Sequence, residues 1–207
     1  MANELKVDDI SHFHAHDLHI PTRTLWMGSL SVDEEGNQSG TDIHMAERLV
    51  KNLHVLEIAS DKAEDPIVIL MENPGGNWDA GMTIYDAIHA CKNHVTIVCF
   101  GEVMSMGSII LQAADERIMA PNSEMMIHYG EDGFFGDPKS FMNWAKRSER
   151  LRTKMEDIYL EKMKEKDGSK NRRHIKALLD EDTILTPELA IELGLADKIL
   201  VNIKDIY

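Results

Sequence analysis

FGEVMSMGSIILQAA (residues 100–114) decides how this chain is read. An apolar run from Val95 to Phe100 leads into it, a tight turn is expected at Ser105, and apolar residues at helical spacing follow from Met106 to Ala114. A strand that turns directly into a helix lifts the intervening side chain out of the sheet. The first N–H groups of the new helix have no partner inside it, and with the positive end of the helix dipole they face any negative charge that develops there. Read alone, Ser105 is an ordinary N-cap serine. Its surroundings match only the second half of a G-x-S-x-G elbow, with Val103 in place of the first glycine. A serine hydroxyl is inert near neutral pH unless a base takes its proton, so a catalytic reading needs a base and an oxyanion site elsewhere in the chain.

Both are on offer. Downstream, APNSEMMIH (residues 120–128) ends in His128, where a short strand would deliver a side chain to the sheet edge. Upstream, VILMENPGGNWDAGM (residues 68–82) stops an apolar run at Pro74-Gly75-Gly76. Adjacent glycines let the backbone take positive φ and let a ligand approach the main chain, so their N–H groups can donate. Further on, DEDTILTPELA (residues 180–190) places Asp180, Glu181 and Asp182 ahead of Thr186 and Pro187, the latter suited to the first position of a helix. The local sequence does not select among the three carboxylates.

PGG followed by AGMTIYDAI (residues 80–88), then GEVMSMGS (101–108), APNSEMMIH (120–128) and LTPELAIELGLADKI (185–199), resembles the ClpP serine peptidases, the proteolytic subunits of ATP-dependent Clp proteases. The resemblance covers roughly Leu25 to Leu200. It implies an α/β fold with a ClpP/crotonase-like spiral core of repeated ββα units and a projecting long handle helix. It further implies a serine endopeptidase with Ser105 as nucleophile and His128 as general base. Asp182 is the third member, because the family's acid stands four residues before the Ser or Thr that starts the next helix, here Thr186. Gly76 and Met106 become the oxyanion donors through their backbone N–H groups, and Asn77 and Trp78 border an extended peptide substrate paired to the strand after PGG. The implied assembly is a ring homo-oligomer of two stacked heptamers, fed with polypeptide by a Clp-type AAA+ unfoldase. ATP is then used only by that partner, and this subunit needs no cofactor or metal. Three positions depart from the family: Tyr129-Gly130 follows His128 where relatives have Gln-Pro, Glu181 replaces a basic residue, and the loop around Glu34 is longer.

Bulk properties agree with one domain. The 207 residues include 43% hydrophobic positions, and the net charge of −14 argues against nucleic acid, whose phosphates would repel it. Cys91 and Cys99 fall in stretches read as helix and strand interiors, so they are small hydrophobes without a disulfide framework. There is neither a secretory signal pattern nor a membrane-length apolar run, which points to the cytoplasm.

Along the chain, residues 1–23 read as an irregular, mobile arm and 24–207 as a single domain, with a handle region at about 129–170. If the arm were extended, His12, His14 and His16 would share one face, although no Cys or acidic cluster with ligand spacing supports a metal there. From Pro138 to about Lys166, an apolar stripe of Phe141, Trp144, Ala145, Ser148, Leu151, Met155, Ile158 and Tyr159 predicts one helix, about 40 Å long. Lys139 to Lys176 carries 13 Lys+Arg against 6 Asp+Glu, so the remainder is strongly acidic and the helix is expected to meet acidic surface of a neighbouring subunit.

The rival reading is a crotonase-like acyl-CoA enzyme, which would use backbone donors near glycine turns to hold a thioester enolate and would need no serine. A non-proteolytic scaffold or regulatory ring subunit would be signalled by loss of the triad residues, all of which are present. A signal-peptide-peptidase-like enzyme with a Ser-Lys dyad would need membrane association, for which the sequence gives no support.

Overall fold

In the computed structural model, which describes residues 7–28, 40–59 and 65–206, the chain runs α1 (Val7–His16), β1 (Leu18–His19), β2 (Thr24–Met27), α2 (Ile43–Ile58), β3 (Ile67–Asn73), α3 (Trp78–His89), β4 (Val95–Met104), α4 (Met106–Leu111), β5 (Glu116–Met119), β6 (Glu124–Ile127), α5 (Pro138–Lys166), α6 (Arg172–Leu179), β7 (Thr183–Leu185), α7 (Pro187–Leu193) and β8 (Lys198–Ile199). Among the described residues the strands join one sheet in the order β1-β2-β3-β4-β5-β8, with β6 attached to the far end of β4 and β7 to β6. The β2-β3-β4-β5 and β5-β8 pairings are parallel, as alternating strands and helices require.

Period-2 burial explains why the central strands are apolar throughout. Ile67, Ile69, Met71, Ile97 and Cys99 face the helical layer, while Val68, Val98 and Ile118 form a smaller cluster on the other face with Ile206. Leu70, Phe100 and Leu200 are only half-covered on that second face.

β4 is the strand that positions the site. Its first half pairs with β5 and its second half, Glu102 to Met104, with β6. The change of partner follows Gly101, whose φ of 55° is open to glycine without strain, and a register shift against β3 between Met71 and Asn73. The strand therefore bends and carries its last residues out of the main sheet.

The start of the chain corrects the sequence-based expectation. Residues 7–19 form α1 and the short strand β1, which pairs antiparallel with β2, rather than an irregular arm; residues 1–6 lie outside the described residues. The reason is tertiary. Asp17 turns the chain at φ 57°, its N–H closes α1 on the Phe13 carbonyl at 2.8 Å, and its buried carboxylate accepts from Arg48 of α2 at 2.7 Å. Asn52 of α2 donates to the His16 carbonyl at 2.6 Å. His12 and His16 consequently share a helix face, with ring centroids 4.6 Å apart, and the expected strand-like alternation with His14 does not occur. Cys91 lies just beyond α3 rather than inside it. Most of the loop around Glu34 lies outside the described residues.

The long helix has its expected limits, Pro138 to Lys166. Asp137 caps it by accepting from Lys139 N and Ser140 N. The expected stripe is buried only from Met155 onward. No residue from Pro138 to Lys154 is fully buried, and Phe141 is 54% exposed. The first half of α5 passes the cleft described next instead of lying on the core.

Candidate active site

Ser105 links β4 to α4 with φ 50° and ψ −119°, and its side chain makes no capping bond. A non-glycine residue at such angles costs about 1–3 kcal/mol and persists only where its surroundings fix it. Here they do. The Ser105 N–H donates to the Met126 carbonyl at 2.8 Å, continuing the β4-β6 ladder. Its carbonyl accepts from Ser108 Oγ at 2.6 Å, and that hydroxyl also lies 2.7 Å from the hydroxyl of fully buried Tyr159 on α5. Ser108 therefore points into the helix packing, as its spacing from Ser105 suggested.

With the capping role unused, Ser105 Oγ is free to meet His128, whose Nε2 lies 2.8 Å away. His128 Nδ1 lies 2.7 Å from Asp182 Oδ1. The strand geometry explains the meeting: β7 runs antiparallel to β6 with Ile127 opposite Thr183, so the residues just outside that pair, His128 and Asp182, are neighbours. Of the three candidate carboxylates, Asp182 is the one hydrogen-bonded to His128. Its side chain is 72% exposed and takes no second hydrogen bond among the described residues.

The glycine turn abuts the serine. Gly75 and Gly76 have φ 105° and 138°, and a Cβ on Gly75 would sit 2.6 Å from Ser105 Cβ and 3.2 Å from Met106 N. Buried Asn73 fixes the turn, its Oδ1 accepting from Gly75 N at 2.8 Å and Thr41 Oγ1 at 3.0 Å. Thr41 then bridges both sides, donating its N–H to the Gly75 carbonyl at 2.5 Å and accepting from Asn77 N at 2.8 Å. Gly107 packs so closely on Asn73 that a Cβ there would lie 2.7 Å from the Asn73 carbonyl. Met106 N, at the first turn of α4, and Gly76 N have no acceptor among the described residues. Both remain available to a ligand.

Asn77 and Trp78 occupy positions with structural duties. Asn77 caps α3 through Oδ1, which accepts from Ala80 N at 2.9 Å. Trp78 packs partly on the core and also lines the cleft, a space of about 900 Å³ that contains Ser105 and His128. Ile109, Leu151 and Met155 add apolar surface, while Trp144 and Arg147 of α5 form the opposite wall. Arg147 reaches across to Asp79 of α3 at 2.6 Å and stacks over Trp144. Neither cysteine competes as a nucleophile: burial raises both thiols, Cys91 to about 11.

Asn73 and Thr41 were missed in the sequence. Asn73 ends an apolar strand just before Pro74, a polar residue where the chain is most buried, and that position is a usable signal. Thr41 gives none, because its partners are distant. Among the described residues, no group of three or more His, Cys, Asp or Glu could hold a metal ion, and no helix is long and apolar enough to cross a membrane.

Comparison with known proteins identifies the family and the fold. A family model described as Clp protease matches residues 37–203. The chain is 34% identical over 163 residues to the ATP-dependent Clp protease proteolytic subunit of Deinococcus radiodurans, covering 78% of this chain and 76% of that one. Its fold superposes on a solved structure of a mutant ClpP1 from Listeria monocytogenes with a TM-score of 0.74 at 27% identity, covering 91% of this chain and 96% of that one.

Proposed function

The chain belongs to the Clp protease family and is a serine endopeptidase, and from that premise we propose that Ser105, His128 and Asp182 form its catalytic triad, with Gly76 N and Met106 N as the oxyanion donors. The observation that carries this reading is the unbroken run of hydrogen bonds from Ser105 Oγ through His128 to Asp182 beside two amides that have no acceptor among the described residues. An extended polypeptide enters the cleft with its scissile carbonyl against those amides. Ser105 Oγ attacks the carbonyl carbon while His128 Nε2 takes the hydroxyl proton, and Asp182 holds the Nδ1 proton and stabilises the imidazolium. The two N–H groups bind the tetrahedral oxyanion. Collapse breaks the C–N bond as His128 returns the proton to the leaving amine. Water, deprotonated by His128, then attacks the acyl-enzyme and releases the new carboxyl end with Ser105 restored.

Asn77 and Trp78 border the substrate in this reading, Asn77 at the edge of the glycine turn and Trp78 as a wall that narrows the pocket for the side chain before the cut bond. A thioester enolate enzyme of crotonase type would leave the Ser105-His128 pair without a task. Fluorophosphonate labelling of the native chain against Ser105→Ala tests the assignment. Native labelling lost in the variant is expected; equal labelling of both, or of neither in the assembled state, overturns it.

The same reading takes the chain as one member of a ring homo-oligomer, two stacked heptamers, located in the cytoplasm and supplied by a Clp-type AAA+ unfoldase. A cleft that holds its substrate mainly by the backbone selects weakly among sequences, so enclosure has to restrict access. The exposed basic first half of α5, the acidic remainder, and half-covered Leu70, Phe100 and Leu200 supply the surfaces for self-association. Sedimentation across a salt series is expected to show dissociation as salt rises, and salt-independent assembly would count against the charge pairing. Cleavage of a folded protein is expected only when a Clp-type ATPase and ATP are added.

A further inference from the structure

Glu156 is a buried carboxylate to which the reaction above gives no task. It lies on α5, 6% exposed, at the point where the helix first becomes part of the core. Its two oxygens are fully engaged. Oε1 accepts from the Tyr129 hydroxyl at 2.7 Å and lies 3.8 Å from Lys176 Nζ, while Oε2 accepts from Arg172 Nη1 at 2.7 Å. Burial would raise its pKa, but the hydrogen bonds from Tyr129 and Arg172 and the charges of Lys176 and Arg172 outweigh this and hold it below the ordinary carboxylate value. It is an anion in the folded chain.

Its partners are the segments that present the base and the acid. Tyr129 is the residue after His128, and its ring is also clamped beneath the Arg152 guanidinium, 3.8 Å from the centroid. Arg172 and Lys176 belong to α6, which ends at Leu179, just before Asp182. The two segments are joined directly as well, since Tyr129 N donates to the Leu179 carbonyl at 3.1 Å. Among the described residues the exposed Asp182 side chain has no hydrogen bond except to His128, so its place depends on where α6 and β7 hold the backbone.

We propose that Glu156 is a positioning residue that ties α5 to the flanks of His128 and Asp182 and thereby fixes the alignment of the pair. The inference rests on the triad reading above. It makes the stance of α5 a determinant of turnover, although Glu156 touches neither substrate nor the reacting atoms.

The test is steady-state cleavage of a short fluorogenic peptide amide by the assembled full chain, with the fluorophosphonate inactivation rate read in parallel. Glu156→Gln keeps the volume and an acceptor for Tyr129 but turns an amide towards Arg172; Tyr129→Phe removes the hydroxyl alone. Each is expected to lower kcat about 10-fold to 100-fold, with KM within about twofold of native, because small misplacements of reacting groups act on the chemical step. The double variant is expected to be little worse than the poorer single one, since the two bonds lie in series on the same path between the flanks of His128 and Asp182. Unchanged kcat in both variants with a lowered melting temperature overturns the proposal and leaves Glu156 a packing residue. A raised KM at native kcat overturns it too, and assigns the cluster to cleft shape. If Glu156→Gln fails to assemble, Tyr129→Phe decides by the same criteria. A native chain that neither labels nor cleaves sinks the triad reading; a native chain that does both, beside variants equal to it, sinks this inference alone.

Discussion

The two halves of the site are held in opposite ways. Ser105, Gly76 and Met106 rest on buried polar groups: Asn73, Ser108 and Tyr159 are fully buried, and Thr41 nearly so. His128 and Asp182 project from strand ends into a cleft, and the carboxylate that orients the imidazole is mostly in solvent. In the proposed mechanism, the half that receives developing charge is built into the core, where fixed donors need no reorganisation. The half proposed to move a proton stands at the ends of β6 and β7, where its alignment depends on the neighbouring Tyr129–Glu156–Arg172 contacts and not on the buried glycine turn. A destabilising change should therefore act on the first half through stability and on the second through activity.

The largest effect expected from this contrast is at the exposed acid. Asp182→Asn should cost about 10³-fold to 10⁴-fold in kcat by leaving His128 without its anionic partner, while the melting temperature stays near native; a clear loss of stability would erase the contrast. Gly75→Ala should come next. Its Cβ would press on Ser105 Cβ at a φ of 105°, so activity should fall about 100-fold or more and stability should fall with it. Asn73→Ala leaves Gly75 N and the Thr41 hydroxyl without an acceptor in a dry site. A loss of about 2 kcal/mol or more in denaturant unfolding is expected, with reduced kcat as the turn loosens. If stability is unchanged, the glycine turn is not anchored as described.

The smallest effect is a pH dependence. Burial acts to raise the pKa of Asp197, but its hydrogen bonds and charge pairing with buried Arg117 prevail and hold it below the ordinary value; Glu156 is depressed likewise. For carboxylates whose folded pKa lies below the unfolded one, the stabilisation is present above the unfolded pKa and lost as pH falls through the folded one. Thermal midpoints should thus be steady near neutrality and decline from about pH 5 downward. Asp197→Asn should flatten part of that decline, and an unaltered slope would remove Asp197 from the account.

Much of the frame was legible because single segments declare themselves. The runs over β3 and β4 are too apolar to lie anywhere but in a buried sheet, and α5 carries its own cap and period. The positions of Ser105, His128 and Asp182 could be singled out from motifs, yet that they meet depends on Gly101 handing β4 to β6 and on β6 pairing with β7. What the sequence hid is what depends on distant polar partners. α1 forms because Arg48 and Asn52 of α2 close its end, Thr41 holds a turn more than thirty residues away, and Glu156 gathers Tyr129, Arg172 and Lys176. The exposed first half of α5 fits the expected projecting helix, since periodicity reports which side is apolar, not whether anything in the same chain covers it.

That half-anchored helix has a mechanical consequence. Core packing of α5 begins at Met155, so this point acts as a fulcrum, and the 17 residues before it form a lever arm of roughly 25 Å. A swing of about 5° there would carry the tip by roughly 2 Å, with Trp144 travelling more than half that distance. The gauge of the groove is thus an angular quantity, checked within the chain by the Arg147–Asp79 pair and adjustable by anything that grips the outer end.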